Sequence, residues 1–458
     1  MHRRALLGSI AGAMSARTMP ASARRGQPNI VVILTDDQNR DTLRFMPNLR
    51  HLVGRQGTTF ENAIIPTPLC GPSRSVLMTG RYAHETGVLR NESDLGGWRK
   101  YRAHGWEQDN LFTWLHDAGY HTGLIGKYMN GHPEGRPAPE DIDRACITAE
   151  IQNQPYLDGE WTMTIDGETQ TGTGYLTDTL NALAVDFIAS APDDQPVLLW
   201  LGHRAPHHPW QPKPEDLPPF SGQAVQRDTA FNEADITDKP AWLQPPLLDA
   251  AQQAELDEGW REALAMLQSV DDGIAAIVKT LQQTGRLDNT WIFYLTDNGY
   301  FFGQHRLDGK AVLYEEAISF PILMRGPGAR RDRVDYRLAS TVDLAPTIRE
   351  IVGLPERNDL AGLSLLGHGR RTTALIESWS TRSEALPEAA GLRGPGWVWI
   401  QSGGFDENYD LLTDPGQTSN IAASLTPEHR AALAARTAAL SACAGQRCAA
   451  IETTPLPA

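Results

Sequence analysis

The chain has 458 residues, 41% hydrophobic and 21% charged, with a formal net charge of −15. This is the composition of a globular protein with room for one large domain and a smaller one, not of a disordered chain, and no apolar stretch reaches membrane-spanning length. The acidic balance excludes broad nucleic-acid binding, which needs a basic face, but leaves open an anionic substrate held by a local cationic pocket.

Residues 1–25 read as an export signal. Arg3 and Arg4 precede the small, apolar run Ala5 to Met14, and Ala21-Ser22-Ala23 has the form of a cleavage site. The arginine pair hints at twin-arginine export, although Arg17 interrupts the pattern. Asn29 to Thr35 is a continuous apolar run rich in β-branched residues, hence a buried strand of a parallel sheet, and it ends in Asp36-Asp37. Next comes Pro68-Leu69-Cys70-Gly71-Pro72-Ser73-Arg74, running on to Met78-Thr79-Gly80-Arg81. Pro72 suits a first helical position, which puts Cys70 at or just before a helix N-terminus, where the dipole favours negative charge. Arg74 stands one turn further in and offers a fork of donors to an oxyanion.

Arg90, Arg99, Lys100, Arg102 and His104 crowd the following segment, either as a solvated face or as a grip on anionic substrate groups. Asp109 is placed to cap a helix from Leu111 to Ala118 that Gly119 ends. Gly123 to Gly126 is a short strand ending in Lys127, and Tyr175 to Ala189 carries helical apolar spacing. Val197 to Leu201 is a further strand and leads into Gly202-His203 and His207-His208. Residues 205–250 form a Pro-rich loop in which Trp210, Phe231 and Trp242 either line a cleft or pin the loop to the body. Glu258 to Leu281 reads as a helix, and Thr290 to Thr296 as a strand ending in Asp297-Asn298-Gly299.

Strands alternating with helices predict an α/β fold with a mostly parallel sheet, and such sheets bind ligands beyond the carboxyl ends of their strands. All four apolar runs carry polar residues at that end. A catalytic domain is expected over residues 26–355. A small α+β unit is expected over 356–458, with strands at Thr373–Ile376, Trp397–Gln401 and near Tyr409–Leu412 and a helix from Thr426-Pro427 to about Cys443. Cys443 and Cys448 are spaced to close a small loop in an oxidising compartment, which leaves Cys146 unpaired.

Asp36, Asp37, Asp297 and Asn298 offer three carboxylates and an amide oxygen. Clustered carboxylates repel one another, and an all-oxygen set suits a hard cation, Ca²⁺ or Mg²⁺. Taken singly, each pair reads equally well as a helix cap or a turn.

The run Cys70-x-Pro72-Ser73-Arg74-x-x-x-Met78-Thr79-Gly80-Arg81 resembles the signature of the type I sulfatases, and the resemblance extends over most of residues 28 to 355. It implies an alkaline-phosphatase-like fold and a sulfuric ester hydrolase. In that family a formylglycine-generating enzyme converts the cysteine to formylglycine (3-oxoalanine), whose hydrate attacks sulfur and whose second hydroxyl then expels sulfate. The resemblance implies that Asp36, Asp37, Asp297 and Asn298 hold Ca²⁺ together with converted residue 70, with Mg²⁺ as the alternative ion. It makes Lys127, in Gly126-Lys127-Tyr128, and Lys310 contacts of the sulfate, with Arg74 sharing the charge on the sulfuryl oxygens. Within Ala205-Pro206-His207-His208-Pro209, it makes a protonated His207 the donor to the leaving oxygen. His203 and His305, beside motif residues, are weaker substrate-binding candidates, as are Arg90, Arg99, Lys100 and Arg102.

One departure stands out. Met129 occupies the place where many sulfatases have histidine, with Asn130 and His132 as nearby substitutes. Gly126 to Gly131, Ala205 to Trp210 and Thr296 to Tyr300 look like the branch containing N-acetylglucosamine-6-sulfatases and extracellular endosulfatases, which implies a sulfated sugar substrate. Two other readings share these residues: a phosphonate monoester or phosphodiester hydrolase of the same superfamily, and a binding protein for sulfated glycans in which Cys70 stays a thiol.

Overall fold

A computed structural model describes residues 26–456 except 93, 95, 150–155, 158–160 and 380–385, so the expected export signal lies outside the described residues. The body is a ten-stranded sheet. From one edge its strands are Arg333–Asp335, Thr58–Phe60, Ile322–Arg325, Thr290–Thr296, Asn29–Thr35, Val197–Gly202, His121–Gly126, Arg144–Thr148, Trp161–Ile165 and Glu168–Gly172. The five central strands, Thr290–Thr296 to Arg144–Thr148, run parallel.

These strands read as unbroken apolar runs because both faces are covered. Ile30, Val32 and Leu34 pack on one side with the Cys70–Thr79, Leu111–Asp117 and Leu344–Ile351 helices. Val31 and Ile33 pack on the other with the Leu176–Ser190 and Ala250–Gln283 helices.

Several boundaries differ from the sequence expectation, each for a local reason. The Cys70 helix begins at Cys70 itself, with Leu69 in the N-cap position, so Pro72 is its third residue rather than its first. Proline is tolerated there because the first four N–H groups have no partner within a helix. Asn110, not Asp109, caps the next helix through Phe112 N and Thr113 N. Asp109 instead takes the guanidinium groups of Arg81 and Arg357. The long helix starts eight residues before Glu258, behind an Asp249/Gln252 capping box. Its first turn faces solvent and shows no apolar stripe to read.

Beyond residue 370 a four-stranded antiparallel sheet, Ala374–Ser378, Ala389–Arg393, Trp397–Ser402 and Phe405–Asp410, packs on the body. Ile376, Val398 and Ile400 meet Leu313, Tyr314 and Ile318 of the body. The alternate residues Leu375, Leu392 and Trp399 face Leu433 and Leu440 of the Pro427–Ser441 helix. The last strand ends at Asp410, before the exposed Leu412, and a second helix, Gln446–Thr453, follows. Cys443 and Cys448 form a disulfide, while Cys70 and Cys146 are free and buried.

His84 fastens this C-terminal unit to the body: Nδ1 lies 2.9 Å from Glu377 Oε2 and Nε2 3.0 Å from the Cys443 carbonyl. Burial alone would lower the imidazole, but the hydrogen bond and charge of Glu377 outweigh it and raise the group to about 9. A folded-state value above the ordinary 6.5 contributes stability that is fully present below pH 6.5 and lost as pH rises through about 9. Denaturant melts of the wild type and His84→Gln should therefore converge between pH 6.5 and 9; a constant gap between them would remove His84 from this role.

Candidate active site

The parallel register brings the polar strand ends level. Thr35 pairs with Thr296, so Asp36 and Asp297 emerge side by side; Gly126 pairs with Gly202, so Lys127 leaves the sheet nearby. Asp37 takes a left-handed backbone (φ 62°), which aspartate tolerates, and turns the chain back over the sheet edge. Asp297 Oδ1 accepts the N–H of Asp37 at 3.3 Å and of Asn298 at 2.9 Å, which locks the two strand ends together.

Cys70 sits over this edge at the start of its helix. Its Sγ is 3.3 Å from Asp36 Oδ1, 4.0 Å from Asp37 Oδ1 and 2.9 Å from Lys310 Nζ. Lys310 also donates to Asp37 Oδ1, and Lys127 to Asp36 Oδ2, each at 2.5 Å. Asn298 Nδ2 donates to Asp37 Oδ1 at 2.7 Å. His207 Nε2 lies 3.5 Å from Asp37 Oδ2, in a loop also held by the Tyr156 hydroxyl on the His207 carbonyl. Nine sequence candidates, Asp36, Asp37, Cys70, Arg74, Lys127, His207, Asp297, Asn298 and Lys310, thus meet in one place.

Arg74 also has a structural part. It is fully buried, with Nε donating to Asp297 Oδ2 and Nη1 to the Lys127 carbonyl, both at 2.8 Å. These bonds brace Asp297 and the Lys127 turn, and Nη2 lies 3.8 Å from Asp36 Oδ2.

The other candidates stand apart. His305 is bound to Glu233 at 2.7 Å, with Glu316 at 3.8 Å. His203 is buried, and both its ring nitrogens lack hydrogen-bond partners. Burial pulls its imidazole down to about 3, so the ring is neutral. Arg102 lies over Trp98 and near Glu107, and His104 meets the Thr86 carbonyl. Arg99 is exposed and Lys100 half-buried. Arg90 borders the Cys70 helix: a Cβ built on Gly71 would lie 3.3 Å from its carbonyl. Met129 is packed in the core, and the His132 ring, edge-on to Trp98 and Tyr128, leaves Nε2 buried without a partner. Among the described residues no hydrogen bond or ion pair joins His132 to Cys70. Asn91 was not foreseen: its Oδ1 accepts from Gly71 N at 2.7 Å, capping the Cys70 helix from twenty residues away. No local pattern announces such a contact.

The electrostatics explain what the cluster suits. Burial raises every carboxyl here, but the charges of Lys127, His207, Arg74 and Lys310 hold Asp36 well below the usual range, and Lys310 and His207 lower Asp37. Asp297 is different: burial and the neighbouring Asp36 charge keep it up at about 7 despite Arg74. Three cationic side chains, Arg74, Lys127 and Lys310, face these three carboxyls, yet burial and Asp36 still leave Asp297 raised. Asp37 Oδ2 and Asn298 Oδ1 are also buried without hydrogen-bond partners. Ligand atoms of Asp36, Asp37, Cys70 and His207 lie within 4.8 Å of one another. Orphaned oxygens and a mainly oxygen donor set fit a hard divalent cation.

Burial, then the charge of Asp36, pushes the Cys70 thiol far above its ordinary value, overriding the helix N-terminus expected to lower it. As a thiol, residue 70 is a poor nucleophile.

The Sulfatase family model matches residues 28–354. Human N-acetylglucosamine-6-sulfatase is 31% identical over 97% of this chain and 89% of its own. A putative extracellular sulfatase Sulf-1 homolog of Caenorhabditis elegans is 33% identical over 74% of this chain and 49% of its own. A solved protein in complex with its substrate D-glucosamine-2-N,6-O-disulfate superposes with a TM-score of 0.75 at 23% identity, over 89% of this chain and 96% of that one.

Proposed function

The chain belongs to the sulfatase family, and from that premise we propose that this sulfuric ester hydrolase removes sulfate from a sulfated sugar, an N-acetylglucosamine 6-sulfate or a near relative, using an aldehyde made from Cys70. The observation that carries the reading is Cys70 itself: a thiol held protonated, yet placed against Lys310 and the Asp36/Asp37 pair where an oxygen nucleophile would be useful. The sugar follows from the named activity of the human relative.

Formylglycine at position 70, as its hydrate, supplies an oxygen nucleophile and an internal route for sulfate release, and a divalent cation held by Asp36, Asp37, Asp297 and Asn298 supplies charge to the sulfuryl oxygens. The remaining roles belong to the chain's own side chains. Lys310, with Nζ 2.9 Å from the Cys70 sulfur, and Lys127 balance sulfate charge. Arg74 keeps Asp297 in place.

His207 faces two acceptors, the His208 carbonyl at 2.6 Å from Nδ1 and Asp37 from Nε2, an arrangement that suits imidazolium. Burial, the largest influence, nevertheless lowers it to about 4 and leaves the ring neutral in the free site. It gains its proton as the anionic substrate binds and then delivers it to the leaving oxygen. His207→Gln should lower kcat/KM for a sugar sulfate by about 10²- to 10⁴-fold, with a far smaller loss for an aryl sulfate whose phenolate leaves unaided. Equal losses on both substrates would remove His207 as the acid.

The smaller unit at 356–458 and export complete the proposal. Export is supported by residues 1–25 and the Cys443–Cys448 disulfide; no described helix is long and apolar enough to cross a membrane. The test is mass spectrometry of the Cys70 peptide after co-expression with a formylglycine-generating enzyme, paired with turnover of matched sulfate and phosphonate esters. An aldehyde with sulfate preferred is the expected result. An intact thiol would favour the glycan-binding reading, and a preference for phosphonate would overturn the substrate assignment.

A further inference from the structure

Beside Lys310 lies a cavity of about 310 Å³ whose wall includes Trp242, Gln244, Phe301, Asp308, Lys310 and Val312. Lys310, whose Nζ lies 2.9 Å from the Cys70 sulfur, forms part of this wall, so the cavity and the reaction centre share a residue. The three aromatics of the 205–250 loop divide here. Trp210 is packed on Tyr300 and Phe302, with ring centroids 5.9 and 5.5 Å away, and Phe231 is buried beneath the Arg227 guanidinium. Both pin the loop. Trp242 is 37% exposed and turns its ring to the cavity.

That ring is braced rather than loose. A Cβ on Gly403 would come within 2.7 Å of it, so the glycine turn of the C-terminal sheet backs directly onto the indole. The neighbouring Leu243 packs into the same cluster as Val312, Leu313 and Tyr314, which ties the indole turn to the segment carrying Lys310. An apolar ring face flanked by a few polar groups is the usual design of a small-ligand pocket. Here the polar groups are the Gln244 amide oxygen, its Nε2 being held by the Lys239 carbonyl at 2.6 Å, and the Asp308 carboxyl, which also meets the Tyr300 hydroxyl, and a sugar ring presents the matching chemistry: a C–H face for the indole and hydroxyls for the rim.

We propose that Trp242 is the stacking platform of a sugar subsite beside Lys310, holding a pyranose ring of the substrate while Gln244 and Asp308 take its hydroxyl groups. The proposal rests on the sulfated-sugar reading above and adds the residues that select the sugar. The reaction centre and the subsite are separable experimentally, because inorganic sulfate needs the first and not the second.

The experiment compares wild type, Trp242→Ala and Trp242→Phe, all with residue 70 converted. It reads kcat/KM for a sulfated N-acetylglucosamine and inhibition by inorganic sulfate. Trp242→Ala should lose about tenfold in kcat/KM, mainly through KM, and keep the wild-type sulfate inhibition constant. Trp242→Phe, which preserves an aromatic face and guards against a packing defect, should recover most of the loss. A kcat/KM for Trp242→Ala within twofold of wild type overturns the platform. So does a parallel weakening of sulfate inhibition, which would mean a damaged centre rather than a lost subsite. Wild-type enzyme that hydrolyses other sulfate esters but no sulfated sugar overturns the sugar reading and the subsite with it.

Discussion

On the proposed reading, Cys70→Ala should lower kcat/KM for a sulfated sugar by at least about 10⁴-fold while the protein stays folded, because the change removes the group proposed to become the nucleophile. Few contacts are at stake: Lys310 keeps Asp37, Arg74 keeps Asp297, and Asn91 still caps Gly71. Cys70→Ser is the sharper variant. A serine hydroxyl beside Lys310 can accept a sulfuryl group once but has no second hydroxyl to expel it. The expected record is a single stoichiometric burst and a sulfated serine at position 70 in the mass spectrum, with no steady turnover. Steady turnover by either variant above about 1% of wild type would mean that residue 70 is not the nucleophile.

The centre of the site was legible because burial and chemistry are written in the same residues. A strand covered on both faces reads as an unbroken apolar run, and its end shows where polar groups begin. Four such ends, with parallel order, are enough to gather Asp36, Asp37, Lys127, His207, Asp297 and Asn298. Side-chain direction was not legible in the same way. Arg74 lies one turn from Cys70 in sequence, but whether it faces cleft or sheet depends on the helix phase, and the helix begins two residues earlier than Pro72 indicated. Tertiary capping is equally hidden: Asn91 serves Gly71 across a loop, and His305 is claimed by Glu233, 72 residues away. The basic segment was ambiguous for a simpler reason. Arg102 stacks on Trp98, and long cationic side chains cover apolar surface as readily as they bind anions. The long helix lost its first two turns to the same limit, since capping by Asp249 leaves little trace where no apolar stripe follows.

Removing divalent metal should extinguish turnover and lower the melting temperature, and Ca²⁺ should restore both. An ion that binds only the folded state, at about 100 times its dissociation constant, adds about 2.7 kcal/mol, which for a chain of this size is on the order of a few degrees. Asp37→Asn separates this effect from general damage. Asp37 Oδ1 already accepts from Asn298 and Lys310, and an amide oxygen can retain part of that, but Oδ2 is one of the two orphaned acceptors. The variant should fold yet melt at one temperature with or without Ca²⁺. Mg²⁺ should restore less than Ca²⁺, because it demands a tight octahedron and keeps its waters, whereas donors fixed on two strand ends suit a larger, more tolerant ion. A wild-type melting curve and activity both indifferent to chelation would defeat the ion. The Asp297 carboxyl, held near 7 by burial and Asp36, would then keep a proton in the working enzyme instead of facing a cation.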